Sequence, residues 1–380
     1  MTTKGNDWSV PESDVMARLR EALADGREAV LATIVRVEGS AYRRPGAKML
    51  LTPDGGVGSI TAGCLEDEVR RLAQQVLEEG RPRVETYDLM EDDDDVWGLG
   101  VGCNGVITVL LEPVDASLRP AVAAYDDGRP VGVVTVLDGD LPTGARAYYW
   151  PGEGIEADGS LPSWLVEALG DAPAALVERG AGDTVTVETD SGEATVFVDG
   201  LTPPPELVVF GTGHDVGPVT ELAKANDFRV TVVGFRGASA EASRFPRADR
   251  VTSSSPAQVA EVHDFDERTY AVVMSHNFVD DRLAVEALLE TAVPYIGLLG
   301  PRERFEEMLA AFEEEGTTLS GSDLERVYTP AGLDLGGGTP YNIAHSIVAE
   351  ALAVHHGREP KHLSDREGPI HERVELEPEA

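Results

Sequence analysis

Apolar residues change period several times along the chain. Val15, Met16, Leu19 and Leu23 recur at helical spacing, which predicts an amphipathic helix over residues 13–24 with Ser13 as its cap. Residues 29–37 form a continuous β-branched run that reads as a buried strand, and residues 48–52 and 56–60 predict a hairpin across Pro53, Asp54 and Gly55. A long amphipathic segment over residues 65–79, starting directly at Cys64, is ended by Gly80; residues 106–111 are another apolar strand. Residues 131–137, 145–149 and 195–198 alternate or run apolar between Gly- and Asp-rich turns. Beyond the stiff Pro203-Pro204-Pro205 junction, strands at 207–210, 229–233, 271–274 and 295–299 alternate with helices. These run from the Gly211 bend to about residue 225, over 280–289 and 303–312, and through Ile343, Ile347 and Leu352.

Alternation of that kind argues a parallel, doubly wound sheet. The expected fold is α/β: an N-terminal mixed α+β domain followed by a C-terminal Rossmann-like doubly wound parallel sheet. The expected boundaries are residues 1–112 for the N-terminal domain with both cysteines, 113–200 for a β-rich extension of it, 201–358 for the Rossmann-like domain and 359–380 for an acidic tail. A chain of 380 residues, 42% of them hydrophobic, is long enough to core two domains.

Charge narrows the partners. Thirty-one basic against 68 acidic side chains give a net charge of −37. Acidity on this scale is associated with halophiles, and we read it as environmental adaptation. Such a surface repels nucleic acid and anionic membranes, so any anionic ligand must meet a local cluster of arginines. The start lacks a charged-then-apolar signal pattern, and no apolar stretch approaches the ~20 residues of a membrane span. A cytoplasmic protein is expected, with its thiols reduced.

The only two cysteines, Cys64 and Cys103, each sit in a glycine-flanked bend: Thr61-Ala62-Gly63-Cys64-Leu65-Glu66 and Gly100-Val101-Gly102-Cys103-Asn104-Gly105. Glycines let the backbone approach a ligand and leave the sulfur uncovered, so the pair suggests a soft metal, a sulfur atom or a redox partner. Ordinary zinc spacing is absent. At a helix start, the macrodipole and free N–H groups favour a thiolate, but Glu66, Asp67 and Glu68 oppose it, so a nearby cation is needed. Arg43 and Arg44 are the available pair; either their loop folds over Cys64 or both are a solvated hairpin tip.

In the second half, Gly211-Thr212-Gly213-His214 follows a strand and opens a helix, the setting of a dinucleotide fingerprint. The third small residue is replaced by Val216, and the second strand ends Phe235-Arg236 where an acidic ribose-binding residue is normal. Arg236 could meet a phosphate instead. Met274-Ser275-His276-Asn277 ends another strand, where α/β folds place ligand loops. Thr339, capping a helix begun by Pro340 after three glycines, is a further candidate anion site.

Several of these segments, in this order, resemble the XdhC/CoxI family. They are residues 37–47 (Val-Glu-Gly-Ser-Ala-Tyr-Arg-Arg-Pro-Gly-Ala), Gly63-Cys64-Leu65-Glu66, residues 97–105, Thr202-Pro203-Pro204-Pro205, Phe210-Gly211-Thr212-Gly213-His214, residues 293–300 and Thr339-Pro340. Residues 113–200 fall outside the resemblance. It implies a protein that binds molybdenum cofactor (molybdopterin), helps it acquire its terminal sulfido ligand from a cysteine desulfurase, and delivers it to an apo molybdenum hydroxylase of the xanthine or carbon monoxide dehydrogenase type. On this reading the chain is a cofactor chaperone and not a catalyst of hydroxylation, and a homodimer is compatible with it. Cys64 and Cys103 would contact the molybdenum centre or its sulfur. Arg43, Arg44, Gly63, Gly102, Gly211, Gly213, His214 and His276 would hold the rest of the cofactor or a nucleotide. Asn104 stands where many relatives have Gly, and the missing acid after Val233 weakens nucleotide binding. Two other readings are an NAD(P)-dependent oxidoreductase using the cysteines as a redox pair, and a pure assembly scaffold.

Overall fold

A computed structural model describes residues 7–39, 43–88, 105–156, 159–236, 240–316, 319–365 and 367. The chain divides at Pro203/Pro204 into two compact units.

The first unit carries two five-stranded antiparallel sheets. One is formed by β1 (Val30–Gly39), β2 (Lys48–Thr52), β3 (Gly55–Gly58), β4 (Arg83–Asp88) and β5 (Gly105–Pro113), in the order β3-β2-β1-β5-β4. Around it lie α1 (Glu12–Asp25) and α2 (Glu66–Glu79). The strand period of two explains the layering, because Val30, Ala32 and Ile34 face the core shared with α2, while Leu31 and Leu50 face the one shared with α1. The other sheet contains β6 (Val131–Gly139), β7 (Arg146–Trp150), β8 (Gly154–Ile155), β9 (Gly182–Thr189) and β10 (Gly192–Leu201), ordered β8-β7-β6-β10-β9. Helix α3 (Arg119–Asp126) joins the α1 core, and α4 (Ser163–Leu169) and α5 (Ala172–Arg179) cover the far face with Leu165, Leu169 and Leu176. Val35 and Leu110 meet Leu137 and Phe197 directly between the sheets.

Charge is also buried between these sheets. Lys48 Nζ lies 2.8 Å from Asp199 Oδ2 and donates to Glu12 Oε1 at 3.0 Å and to the Gly46 carbonyl at 2.8 Å. Burial alone would lower the ammonium, but Asp199 and Glu12 outweigh it and hold Lys48 above its ordinary pKa. Arg146 pairs with the equally buried Glu112. Lys48, Asp199, Arg146 and Glu112 line a cavity of about 40 Å³ with Leu31, Leu110 and Phe197.

Helix α1 starts one residue before the expected cap. Pro11 is the N-cap, and Glu12 and Asp14 occupy the first turn, so Ser13 lies inside the helix and does not cap it.

The second unit is a six-stranded, wholly parallel sheet. Its strands are β11 (Glu206–Phe210), β12 (Arg229–Gly234), β13 (Arg250–Ser253), β14 (Thr269–Val273), β15 (Tyr295–Leu298) and β16 (Val327–Tyr328). Their order, β13-β12-β11-β14-β15-β16, is that of a Rossmann fold, with the reversal between β11 and β14. Helices α6 (Val216–Ala225) and α10 (Pro340–His355) pack on one face, and α7 (Phe278–Leu289) and α8 (Arg302–Glu314) on the other; α9 (Gly321–Glu325) precedes β16. The expected α/β class, with a mixed first part and a doubly wound parallel sheet, is the one observed.

At the end of α10, His355 is half-buried, and its Nδ1 lies 3.0 Å from the Tyr270 hydroxyl. Burial first, then the neighbouring His356 and Arg268, lowers its pKa to about 4 from an ordinary 6.5. Between pH 6.5 and 4 the unfolded chain binds the proton more readily, so this group's contribution is intact above pH 6.5 and is lost as pH falls through that window. Discounted for partial exposure, the loss is about 1–2 kcal/mol. Urea unfolding of the wild type and His355→Gln between pH 7 and 4 measures it as the difference in slope; equal slopes would contradict the assignment.

Candidate functional sites

Cys64 is half-buried at the edge of the α2 core, less open than its flanking glycine suggests. Gly63 has φ +114°, a conformation that favours glycine, with open space where a Cβ would point. The helix does not start at Cys64: Leu65 is the N-cap and Glu66 the first helical residue. Two side chains hold the bend. Thr61 Oγ1 accepts from the amides of Gly63, Cys64 and Leu65 at 3.3, 3.1 and 3.3 Å. The buried Glu66 carboxylate accepts from the Thr61 amide at 3.0 Å, the Thr61 hydroxyl at 2.6 Å and the Leu65 amide at 3.1 Å.

This arrangement changes the expected electrostatics. The amides of Gly63, Cys64 and Leu65 are engaged by Thr61 and Glu66, while the helix begins one residue beyond them. Of the three carboxylates, Glu66 turns inward, while Asp67 and Glu68 pair with Arg70 and Arg71 one turn on. Arg43 donates to Ser59 Oγ at 3.1 Å, which ties its loop to the segment leading into the Cys64 bend; Arg44 is exposed. Gly102 and Cys103 lie outside the described residues. Among the described residues no three His, Cys, Asp or Glu side chains converge as a metal site.

In the second unit the expected residues come together. The turn after β11 and the turn after β14 flank the strand-order reversal, where open α/β sheets bind ligands. A Cβ on Gly211, whose φ is +146°, would lie 2.5 Å from the Met274 carbonyl oxygen, so only glycine lets the strand ends approach. Gly211→Ala is expected to cost about 2–4 kcal/mol, read as loss of the second unit's urea transition midpoint; an unchanged midpoint would refute the close-approach argument. Beside it, a Cβ on Gly213 would meet only the His276 ring, 3.5 Å away. His214 and His276 are both exposed at this mouth, and Arg244 Nη2 holds the Thr212 carbonyl at 2.7 Å.

Arg236, still 69% exposed, is paired with Asp280 of α7 at 3.1 Å. Thr339 does cap α10, its hydroxyl bonding Asn342, whose side chain fills the space beside Gly337, while the space beside Gly336 and Gly338 is open. Sequence reasoning named Thr61, Glu66 and Ser275 but not the roles in which they hold their turns, and it missed Asp281.

The fold is that of a two-unit α/β protein, with a cysteine-bearing sheet assembly followed by a Rossmann-type domain. Residues 22–88 match the XdhC and CoxI family and residues 207–351 the XdhC Rossmann domain. A probable xanthine dehydrogenase component of Bacillus subtilis is 31% identical over 335 residues, covering 87% of this chain and 94% of that protein. The chain belongs to the XdhC and CoxI family. It is also 23% identical over 361 residues to the molybdenum cofactor insertion chaperone PaoD of Escherichia coli, covering 92% of this chain and 93% of that protein. A crystal structure described as a xanthine dehydrogenase from Bacillus halodurans superposes with a TM-score of 0.71 at 30% identity, covering 91% of this chain and 96% of that one. No helix among the described residues is long and apolar enough to cross a membrane.

Proposed function

We propose that this protein is an accessory factor of a molybdenum hydroxylase of the xanthine or carbon monoxide dehydrogenase type, binding molybdenum cofactor and assisting its sulfuration and insertion. The observation that carries the reading is the near full-length likeness to the xanthine dehydrogenase component and to the insertion chaperone, in a chain that offers one site in each unit. The residues fit such a cargo: a thiol on a preset bend suits a soft metal or sulfur, and the Gly213 turn at a helix start, with the His276 ring beside it, suits a phosphate-bearing group. Cys64, with Cys103, would hold the sulfur-bearing end, and Arg43, Arg44, Gly63 and Gly102 would border it. In the second unit, taken by itself, Gly211, Gly213, His214 and His276 would hold a phosphate-bearing group such as that of the pterin or a nucleotide. When bound, the cofactor supplies the molybdenum centre used by the recipient hydroxylase.

The chain's own chemistry is sulfur handling. A Cys64 thiolate attacks the outer sulfur of a cysteine desulfurase persulfide, the desulfurase thiolate leaves, and Cys64 carries the sulfur as a persulfide. That chemistry needs reduced thiols, which suits a cytoplasmic activity. Protein purified from a molybdenum-replete host should release a fluorescent pterin on oxidative denaturation. Absence of pterin, together with a thermal shift on adding NADPH, would favour a nucleotide-dependent oxidoreductase instead.

A further inference from the structure

His276 is one of two non-glycine residues at positive φ among the described residues, at 62°; the other, Asp227, lies in the turn between α6 and β12. Such a conformation costs a histidine about 1 kcal/mol or more and persists only where the surroundings enforce it. Here the residues on either side of it are fixed. Ser275 donates its amide to Asp281 Oδ1 at 3.1 Å and its hydroxyl to the same oxygen at 2.5 Å. The Asn277 amide donates to Ser275 Oγ at 3.2 Å, and Asn277 Oδ1 accepts from the Asp280 amide at 3.0 Å, capping α7. Asp281 is fully buried, and its other oxygen is held by Arg304 of α8.

The exposed ring is therefore carried on a bracket anchored in the core, and it lies over the Gly213 backbone. An exposed side chain gains no packing from this constraint. What it gains is a fixed position at the mouth of the strand-order reversal.

We propose that Asp281 is a positioning residue, which through Ser275 locks the His276 imidazole over the Gly211–His214 turn so that the ring grips the ligand of the second unit. The inference rests on the reading above that this crevice of the second unit takes the phosphate-bearing cofactor.

The test uses the full chain from a molybdenum-replete host, with two readouts on each sample: pterin content and the nuclear Overhauser contact between the His276 ring and Gly213 Hα. Ser275→Ala and Asp281→Asn should lose the contact and about tenfold of the pterin affinity. His276→Gly should lose the same affinity while its melting temperature rises, because glycine relieves the positive φ. A purely structural role cannot move binding and stability in opposite directions. If Ser275→Ala and Asp281→Asn keep both contact and pterin, or lose pterin with the contact intact, the proposal is overturned. Should Asp281→Asn fail to fold, Ser275→Ala decides. Wild-type protein without pterin defeats the proposed function, while the ring contact in the same variants still decides whether Asp281 positions His276.

Discussion

Lys48→Met is expected to destabilise the first unit by about 3–5 kcal/mol. The substitution keeps most of the side-chain volume, so the effect is electrostatic. It strands Asp199, 13% exposed, with no cation in place of the ammonium 2.8 Å away. Glu12 is 43% exposed at the other end of the network and can turn to water, so most of the penalty falls on Asp199. The double variant Lys48→Met/Asp199→Leu should recover most of the loss, because two apolar groups replace two buried charges. Urea unfolding of wild type, singles and double gives the coupling directly. Additive losses in the cycle would show that the pair does not join the sheets energetically.

Cys64→Ser should leave the fold in place and remove the function. Serine matches the shape of the bend, and the hydrogen bonds that hold it come from Thr61 and Glu66 and not from the thiol. Serine is neither a soft ligand nor able to carry sulfur as a persulfide. Activation of a sulfur-free recipient hydroxylase by the variant should fall by about 10–100-fold, with an unchanged circular dichroism spectrum. Thr61→Val offers the complementary case: the thiol stays, but the Gly63 and Cys64 amides lose their acceptor and Leu65 keeps only Glu66. Full activation by Cys64→Ser would remove Cys64 from the sulfur path.

The parts of the fold readable from sequence are those in which burial dictates the pattern. Val30–Gly39 and Glu206–Phe210 are central strands lined by apolar residues, and both are recognisable from composition alone. Arg83–Asp88 and Gly182–Thr189 are edge strands with largely exposed polar faces, and little in their residues separates them from loops. Val327–Tyr328 is a strand only because β15 pairs with it. The second site was legible once the strand order was known, since Gly211 and His276 end strands flanking the reversal. The Thr61–Glu66 lock was not, because its spacing of five residues does not match the three-residue capping box. Asp281 was also hidden, as its partner Arg304 lies 23 residues away on another helix.

The lock around Cys64 bears on timing as well as shape. A bend already held by six hydrogen bonds spends little conformational entropy when cargo arrives, and none has to be regained when it departs. Loading and unloading can then differ only in the contacts made to the cargo itself. On the proposed function, in which the protein gives its ligand away, a cradle that neither folds around the load nor unfolds to release it would keep the handover fast in both directions and leave the recipient's stronger grip to set the outcome.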